Sequence, residues 1–351
     1  MGEKMLGIIN ATGSFTSLKK VTGHRSLAAL PFGGRYRLID FMLSNMVNSN
    51  IHSVAVFTSH MAVFTSHKNR SLMDHVGSGK QWDLDRKRDG LFLFPPNCQC
   101  DQDEFGSFAH FRRHIDYFLR SREEYVVITN SHLVTALNFQ AVLERHIHTS
   151  ADITEVCHEG VSLQTYVLKK QLLLDLFETY KDVEQYSLFD VVREKRGKSL
   201  HIATYEHTGY VASIDSIESY YKHSLEILQP AIWKQLFKKE APIFTKVKDE
   251  PPTRYLKGAV VKNTMIANGS IIEGEVENSV VSRSVKIGKG SIIRNSIIMQ
   301  KSQIGDNCII DGVIIDKDVK IGDGVVLKGN TDEPYVVEKG SIQNSTINSY
   351  S

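Results

Sequence analysis

The chain has 351 residues, enough for two domains, and its 41% hydrophobic and 23% charged content is that of an ordinary globular protein. A formal net charge of +2 gives no general attraction to nucleic acid or acidic membranes, and no apolar run approaches the roughly 20 residues that span a bilayer. The polar start and the four cysteines, too few for a disulfide framework, predict a cytoplasmic protein with free thiols. A metal or redox role for the pair Cys98 and Cys100 is the alternative.

The first 240 residues alternate between short β-rich runs and longer helical stretches, which predicts an α/β domain with a mostly parallel sheet. The strands are predicted at Met5–Ile9, Ser53–Phe57, Tyr125–Thr129 and Thr165–Leu168. The helices are predicted at Ile39–Ser49, Phe111–Arg120, Phe139–His148, Lys170–Tyr180 and Ser216–Leu225. The hexapeptide AVFTSH occurs at 55–60 and again at 62–67, as a natural loop or a fault of sequence assembly, and no inference rests on residues 58–68.

A different pattern follows residue 240. Residues 241–256 include two adjacent prolines and mixed charge, which predicts an extended linker. In 257–351, residues at a six-residue spacing are mostly apolar, and the dipeptide Ile-Gly recurs every 17 residues, at 287, 304 and 321. So short a period predicts a left-handed parallel β-helix with one apolar residue per strand turned inward, and a series of β-hairpins is the alternative.

Three segments carry a resemblance to a known family: 31–51 (PFGGRYRLIDFMLSNMVNSNI), 209–228 (GYVASIDSIESYYKHSLEIL) and the linker followed by hexapeptide coils. Their order and distances resemble those of ADP-glucose pyrophosphorylase over nearly the whole chain. The resemblance implies a Rossmann-like nucleotidyltransferase domain before the β-helix. It also implies a reaction in which glucose 1-phosphate attacks the α-phosphorus of ATP, with Mg²⁺ bound by two carboxylates.

The phosphate-binding loop of the family has lost its charges here. Where the family has glycine, arginine and lysine, this chain has Phe15, Ser17 and Leu27. A phenyl side chain obstructs close approach of the backbone to a triphosphate, and two cations are missing where phosphate charge is neutralised. Phosphate binding through Lys19, Lys20 or Arg25 is the alternative.

The carboxylates are altered as well. The two positions that bind magnesium in the family hold His132 and Ser213, and the aspartate of the nucleotide-lining segment is replaced by Ala109. Asp215 lies two residues after Ser213, so a displaced metal site is an open alternative. The family's sugar-phosphate lysine motif, E-K-P, is absent from residues 150–200. We therefore expect no catalytic residue and no magnesium bound for catalysis.

An intact scaffold with a degenerate site resembles the non-catalytic subunit of two-component bacterial ADP-glucose pyrophosphorylases. This implies a regulatory or structural subunit, in a homo- or hetero-oligomer such as a tetramer with a catalytic homologue. An active sugar-phosphate nucleotidyltransferase and a pure scaffold are the alternatives. No histidine follows His223, which argues against an acyltransferase on the β-helix.

Four cationic residues are candidates for binding an effector. Arginine suits bidentate recognition of phosphate, and the resemblance links the segment around residue 35 to sugar-phosphate and nucleotide effectors. The alternative is that Arg35 and Arg37 cap a helix near Asp40. The predicted anion site comprises His24, Arg25, Arg35 and Arg37.

Overall fold

The computed structural model describes residues 4–58, 67–94, 107–183, 186–330 and 332–348. Most of the second AVFTSH copy, and both Cys98 and Cys100, lie outside these residues. Cys157 and Cys308 are free and buried, as expected for thiols. Among the described helices, none has the length and apolar character that a membrane crossing requires.

The first part of the chain forms a seven-stranded sheet. The Val161–Lys169 strand is antiparallel to both of its neighbours, and the other pairs are parallel, so the predicted mostly parallel α/β sheet is confirmed. The spatial order is Ile202–Glu206, Ile153–His158, Val161–Lys169, Tyr125–Asn130, Met5–Ala11, Ser53–Thr58 and Gly90–Phe94. Two-stranded pairs join Pro31–Phe32 to Tyr36–Arg37 and Leu133–Thr135 to Val211–Ser213.

Helices cover both faces of this sheet, and separate apolar clusters fill the space on each side. The helix predicted at Phe111–Arg120 is instead two short helices, because the helical backbone is interrupted around His114. Asn138 begins another helix by accepting hydrogen bonds from the N–H groups of Gln140 and Ala141. The α-helices are Lys19–Thr22, Leu38–Asn48, His67–Val76, Phe108–Arg112, Ile115–Arg120, Phe139–Thr149, Lys170–Thr179, Leu188–Lys195, Ile217–Glu226 and Pro230–Leu236.

The last hundred residues form three parallel sheets wound into a β-helix, as predicted; the left-handed winding stays a prediction. The first sheet consists of Arg254–Tyr255, Ile271–Ile272, Lys286–Ile287, Gln303–Ile304, Lys320–Ile321 and Ile342–Gln343. The second consists of Val260–Lys262, Glu275–Glu277, Ile292–Arg294, Ile309–Asp311, Val326–Lys328 and Ile347–Asn348. The third consists of Met265–Ile266, Val280–Val281, Ile297–Ile298, Val313–Ile315 and Tyr335–Val337.

The coil length differs from the six-residue expectation. Ile287, Ile304 and Ile321 are in register on one sheet and are buried, so these coils have 17 residues. A strict six-residue series therefore drifts, and Ile309 in that series is 40% exposed, so the expectation that it turns inward was wrong. The 17-residue Ile-Gly spacing was the correct repeat.

The β-helix and the α/β domain share a core. Ile297 and Ile314 lie on the outer face of a β-helix sheet and are buried in the apolar cluster that also contains helix Leu38–Asn48. Beside this contact, Arg25 Nη2 lies 2.7 Å from Asp316 Oδ1, and the two side chains are 3% and 1% exposed. The domains are thus joined by apolar packing and by a buried ion pair.

The buried histidines predict acid sensitivity. Burial lowers the pKa of His146 to about 4, and its Nδ1 lies 2.9 Å from Thr154 Oγ1. An unfolded histidine, with a pKa near 6.5, takes up a proton that the folded one refuses, so stability is present above pH 6.5 and is lost as the pH falls toward 4. Burial lowers the pKa of His110, His132 and His207 to about 4 as well, which adds to this loss.

We expect His146→Gln to remove about 1–2 kcal/mol of the stability difference between pH 7.5 and pH 5.0. His148→Gln is the matched control, because His148 lies exposed on the same helix. Urea unfolding of both variants and of the unmodified chain at the two pH values measures the effect. Equal pH dependence in all three proteins would contradict the prediction.

Candidate functional site: a neutral cavity and a cationic cavity

The first cavity lies where the parallel strands Met5–Ala11 and Tyr125–Asn130 end. Open α/β sheets bind ligands at this carboxyl edge. The cavity has a volume of about 440 Å³. Its described lining consists of Asn10, Phe15, Phe111, Ile128, Asn130, His132, Gln164, Tyr166, Ser187, Leu188, Phe189, Ser213 and Asp215.

Four of the six degenerate positions meet at this cavity. The Phe15 ring meets the His132 ring edge-on, with centroids 5.4 Å apart. Ser213 pairs with Leu133 across a two-stranded ladder, which sets it beside His132. The Ser17 hydroxyl donates to the Asp215 carbonyl oxygen at 2.7 Å, so residue 17 lies at the rim.

The remaining two degenerate positions do not line the cavity. Leu27 is 3% exposed and belongs to the main apolar core. Ala109 lies on the short helix Phe108–Arg112, whose Phe111 is the residue that reaches the cavity. At these two positions the motif comparison identified the residue type but not the direction of the side chain.

The described lining does not suit a magnesium–nucleotide complex. Burial lowers the pKa of His132 to about 4 despite the opposing effect of Asp215, so the imidazole is uncharged at neutral pH. Neutral nitrogen is not the hard oxygen ligand that Mg²⁺ prefers, and Asp215 is the single carboxylate in the described lining. That lining also has no lysine or arginine to offset phosphate charge. In the described part of the chain, no group of three or more His, Cys, Asp or Glu side chains could hold a metal ion.

The second cavity, of about 530 Å³, lies between the α/β domain, the linker and the β-helix. It brings together His24, Arg25 and Arg37 of the predicted anion site. Arg35 is not among them: it is exposed and lies over the Tyr36 ring, 4.8 Å from the centroid. The full described lining is His24, Arg25, Arg37, Arg70, Ser71, Asp74, His75, Lys246, Lys248, Lys317 and Lys339.

The positive groups of the second cavity crowd one another. Burial lowers the pKa of Lys317 to about 8, and the charges of Arg37 and Arg25 lower it further. Burial likewise lowers the pKa of Arg37 to about 10, with Asp40 opposing this shift. One nearby carboxylate is already committed, because Asp316 pairs with Arg25. An anion that entered here would relieve this repulsion.

Arg37 is held in place by its neighbours. Its Nη1 donates to the carbonyl oxygen and the hydroxyl of Ser71 at 2.6 and 2.8 Å. Its backbone N–H donates to Asp40 Oδ2 at 2.9 Å, which begins helix Leu38–Asn48. The capping alternative thus describes the Arg37 backbone, while the guanidinium lines the cavity.

Fold and site together define a nucleotidyltransferase-type α/β domain followed by a hexapeptide β-helix. Residues 6–163 match the Nucleotidyl transferase family, and residues 251–343 match the family of GlmU-like C-terminal hexapeptide domains. The class is therefore that of the nucleotidyltransferases with a β-helix extension.

Comparison with curated proteins gives the particular family. The chain is 55% identical to the glycogen biosynthesis protein GlgD of Geobacillus stearothermophilus and 50% identical to that of Bacillus subtilis, in each case over 99% of both chains. It is 30% identical to the glucose-1-phosphate adenylyltransferase of Thermotoga neapolitana, over 83% of this chain and 76% of the relative. This chain belongs to the ADP-glucose pyrophosphorylase family, in the group of the GlgD glycogen biosynthesis proteins.

Proposed function

We propose that this chain is a regulatory subunit of an ADP-glucose pyrophosphorylase. In this proposal it assembles in the cytoplasm with a catalytic homologue, as a heterotetramer, and modulates the formation of ADP-glucose from ATP and glucose 1-phosphate. The observation that carries the proposal is the neutral cavity: Phe15, His132 and Ser213 lie together where charge is required.

The argument is one of transition-state charge. Removal of one contact that stabilises developing charge costs roughly a hundred- to a thousandfold in rate. Here a cation and both magnesium positions are replaced at one cavity, and Leu27 adds a further lost cation. The shared core and the buried Arg25–Asp316 ion pair are at the same time intact. Loss of chemistry with retention of the frame favours a role exerted through a partner.

The cationic cavity supports a role in effector binding. We propose that it binds an anionic effector, a sugar phosphate or a nucleotide, at the junction of the two domains. Residues from the α/β domain, the linker and the β-helix contribute cations, represented by Arg37, Lys248 and Lys317. A ligand held by all three segments would bias how the domains sit together, which gives it a way to regulate the assembly.

The subunit proposal is tested by mixing. The purified chain, its catalytic homologue and their mixture are assayed for ADP-glucose at equal total subunit concentration. We expect no product from this chain alone and a changed rate or effector response in the mixture. Robust product formation by the chain alone, with Mg²⁺-dependent ATP binding, would favour the divergent enzyme, whereas an unchanged mixture would favour a scaffold.

The effector proposal predicts that Lys317→Gln weakens binding of a sugar phosphate by about 10- to 100-fold, because one charged contact is lost. Affinity in the unmodified chain should fall as the pH rises from 7 to 9, since Lys317, with a pKa of about 8, loses its charge. Isothermal titration calorimetry measures both effects. Lys320→Gln is the control, an exposed lysine on the same domain; equal loss in both variants would contradict a specific site.

A further inference from the structure

The neutral cavity retains a built polar floor although its charged groups are gone. Asn10 Nδ2 donates to Asn130 Oδ1, and Asn130 Nδ2 donates to Gln164 Oε1, each at 3.2 Å. Asn10 Oδ1 accepts from the backbone N–H and the hydroxyl of Thr12 at 3.2 and 2.7 Å. Three carboxamides are thus linked in a row across adjacent strand ends.

This row has hydrogen-bonding capacity left over. Each carboxamide has two N–H donors and an oxygen that accepts two hydrogen bonds. The bonds above use one N–H of Asn10, one of Asn130 and neither of the Gln164 amide. Asn10 and Asn130 are 8% and 7% exposed, so these groups have little bulk water to bond to. The floor therefore offers directed donors to a ligand.

Gln164 itself is held in an unusual conformation. Its φ is +48°, in the left-handed region that non-glycine residues seldom adopt, and it lies beside a register shift in the hairpin of strands Ile153–His158 and Val161–Lys169. Strain of this kind persists where the surrounding fold imposes it, and it is concentrated at binding sites. The shift presents the Gln164 side chain to the cavity.

The chemistry of the walls selects the ligand. The phenyl rings of Phe15 and Phe111 and the phenol of Tyr166 line the cavity beside the amides. The described lining carries the Asp215 carboxylate and no lysine or arginine, so a phosphate group would meet repulsion without compensation. A pyranose suits such walls, because its hydroxyls accept from amides while its C–H face packs on an aromatic ring. The volume of about 440 Å³ is within the usual range for small-molecule sites.

We propose that this cavity binds an uncharged hexose, either free or as the terminal unit of a short glucan. The degenerate site is then a sugar-binding site in which Asn130 and Gln164 donate to ring hydroxyls and Phe15 packs against the ring. The proposal concerns binding by this chain alone, so it stands or falls independently of any effect on a catalytic homologue.

Calorimetry on the full chain without a partner tests it, with four ligands: glucose, maltose, glucose 1-phosphate and ATP with Mg²⁺. We expect glucose or maltose to bind with one site per chain, and glucose 1-phosphate to bind at least tenfold more weakly. Binding of glucose identifies the free sugar as the ligand, and binding of maltose alone identifies a glucan end. No sugar binding, or binding of glucose 1-phosphate or ATP–Mg²⁺ as tight as that of the neutral sugars, would overturn the proposal.

The matched variant is Gln164→Gly. Glycine adopts a positive φ without strain, so this change removes the amide while preserving the backbone. We expect it to weaken sugar binding by about tenfold or more, through the loss of two donors. Glu159→Gly is the control, since Glu159 has a φ of +50° in the same hairpin and does not line the cavity. Unchanged sugar affinity in Gln164→Gly, with its fold verified by circular dichroism, would also overturn the proposal.

Discussion

Arg25→Met should lower the free energy of unfolding by about 3–5 kcal/mol, because it leaves a buried charge without its partner. Asp316 is 1% exposed and accepts from Arg25 at 2.7 Å. Its Oδ1 also accepts from the backbone N–H of Lys317 at 2.6 Å, so it cannot turn toward water without breaking a second bond. In the variant that carboxylate must either stay charged in an apolar place or take up a proton, and both raise the free energy of the folded state.

The companion variant distinguishes a lost attraction from an orphaned charge. Arg25→Met combined with Asp316→Leu should recover most of the loss, since replacement of both members of a buried pair by apolar groups is often neutral. Urea unfolding followed by circular dichroism measures all three proteins. Arg294→Met is the control: its pair with Glu277, 3.6 Å apart on the β-helix surface, is half exposed and should contribute about 1 kcal/mol or less. A similar small loss in Arg25→Met would mean that the domains are joined by apolar packing alone.

Much of the fold was predictable because its signals are local. The strands at Met5, Ser53 and Tyr125 are short apolar runs, and each was placed within one or two residues of its observed bounds. Three sheet strands were missed, among them Ile202–Glu206 at the sheet edge, whose side chains are largely half-buried and therefore give a weak pattern. The β-helix was predicted from its repeat, although the burial of Ile304 and exposure of Ile309 follow the 17-residue coil rather than a six-residue count.

The cationic cavity could be predicted only in part, because its residues come from distant parts of the chain. His24, Arg25 and Arg37 are close in sequence and were recognisable as a group. Lys317 and Lys339 lie at corners of the β-helix, almost 300 residues later, where nothing local sets them apart from other surface lysines. It is the docking of the two domains through Ile297 and Ile314 that brings them beside Arg37.

The neutral cavity shows the complementary limit. Motif comparison identified Phe15, His132 and Ser213 correctly as neighbours, because the strand ends that carry them are fixed by the family fold. It also included Leu27, whose side chain is instead part of the core. The carboxamide row was not recognised, since Asn10, Asn130 and Gln164 are separated in sequence and become a unit only through strand pairing.

Restoration of the missing charges gives the largest expected effect on activity. We expect the triple variant Ser17→Arg, His132→Asp and Ser213→Asp to form ADP-glucose at least ~100-fold faster than the unmodified chain, while each single variant stays at its level. The reason is that these groups act together: two carboxylates are required to bind Mg²⁺, and the arginine at the rim acts on a metal-bound phosphate. Leu27→Lys is not included, because a lysine at this buried position would cost stability.

Thermal unfolding gives this prediction a second readout that does not depend on turnover. Without metal, carboxylates at 132 and 213 would repel each other and Asp215, so the triple variant should melt below the unmodified chain. Added Mg²⁺ should raise its melting temperature and leave that of the unmodified chain unchanged, because only the variant has a pair of oxygen ligands for the ion. If His132→Asp alone produced as much ADP-glucose as the triple variant, one substitution rather than their combination would account for the lost chemistry. The case for a subunit that acts through its partner would then weaken, since a site one residue from activity is that of an enzyme.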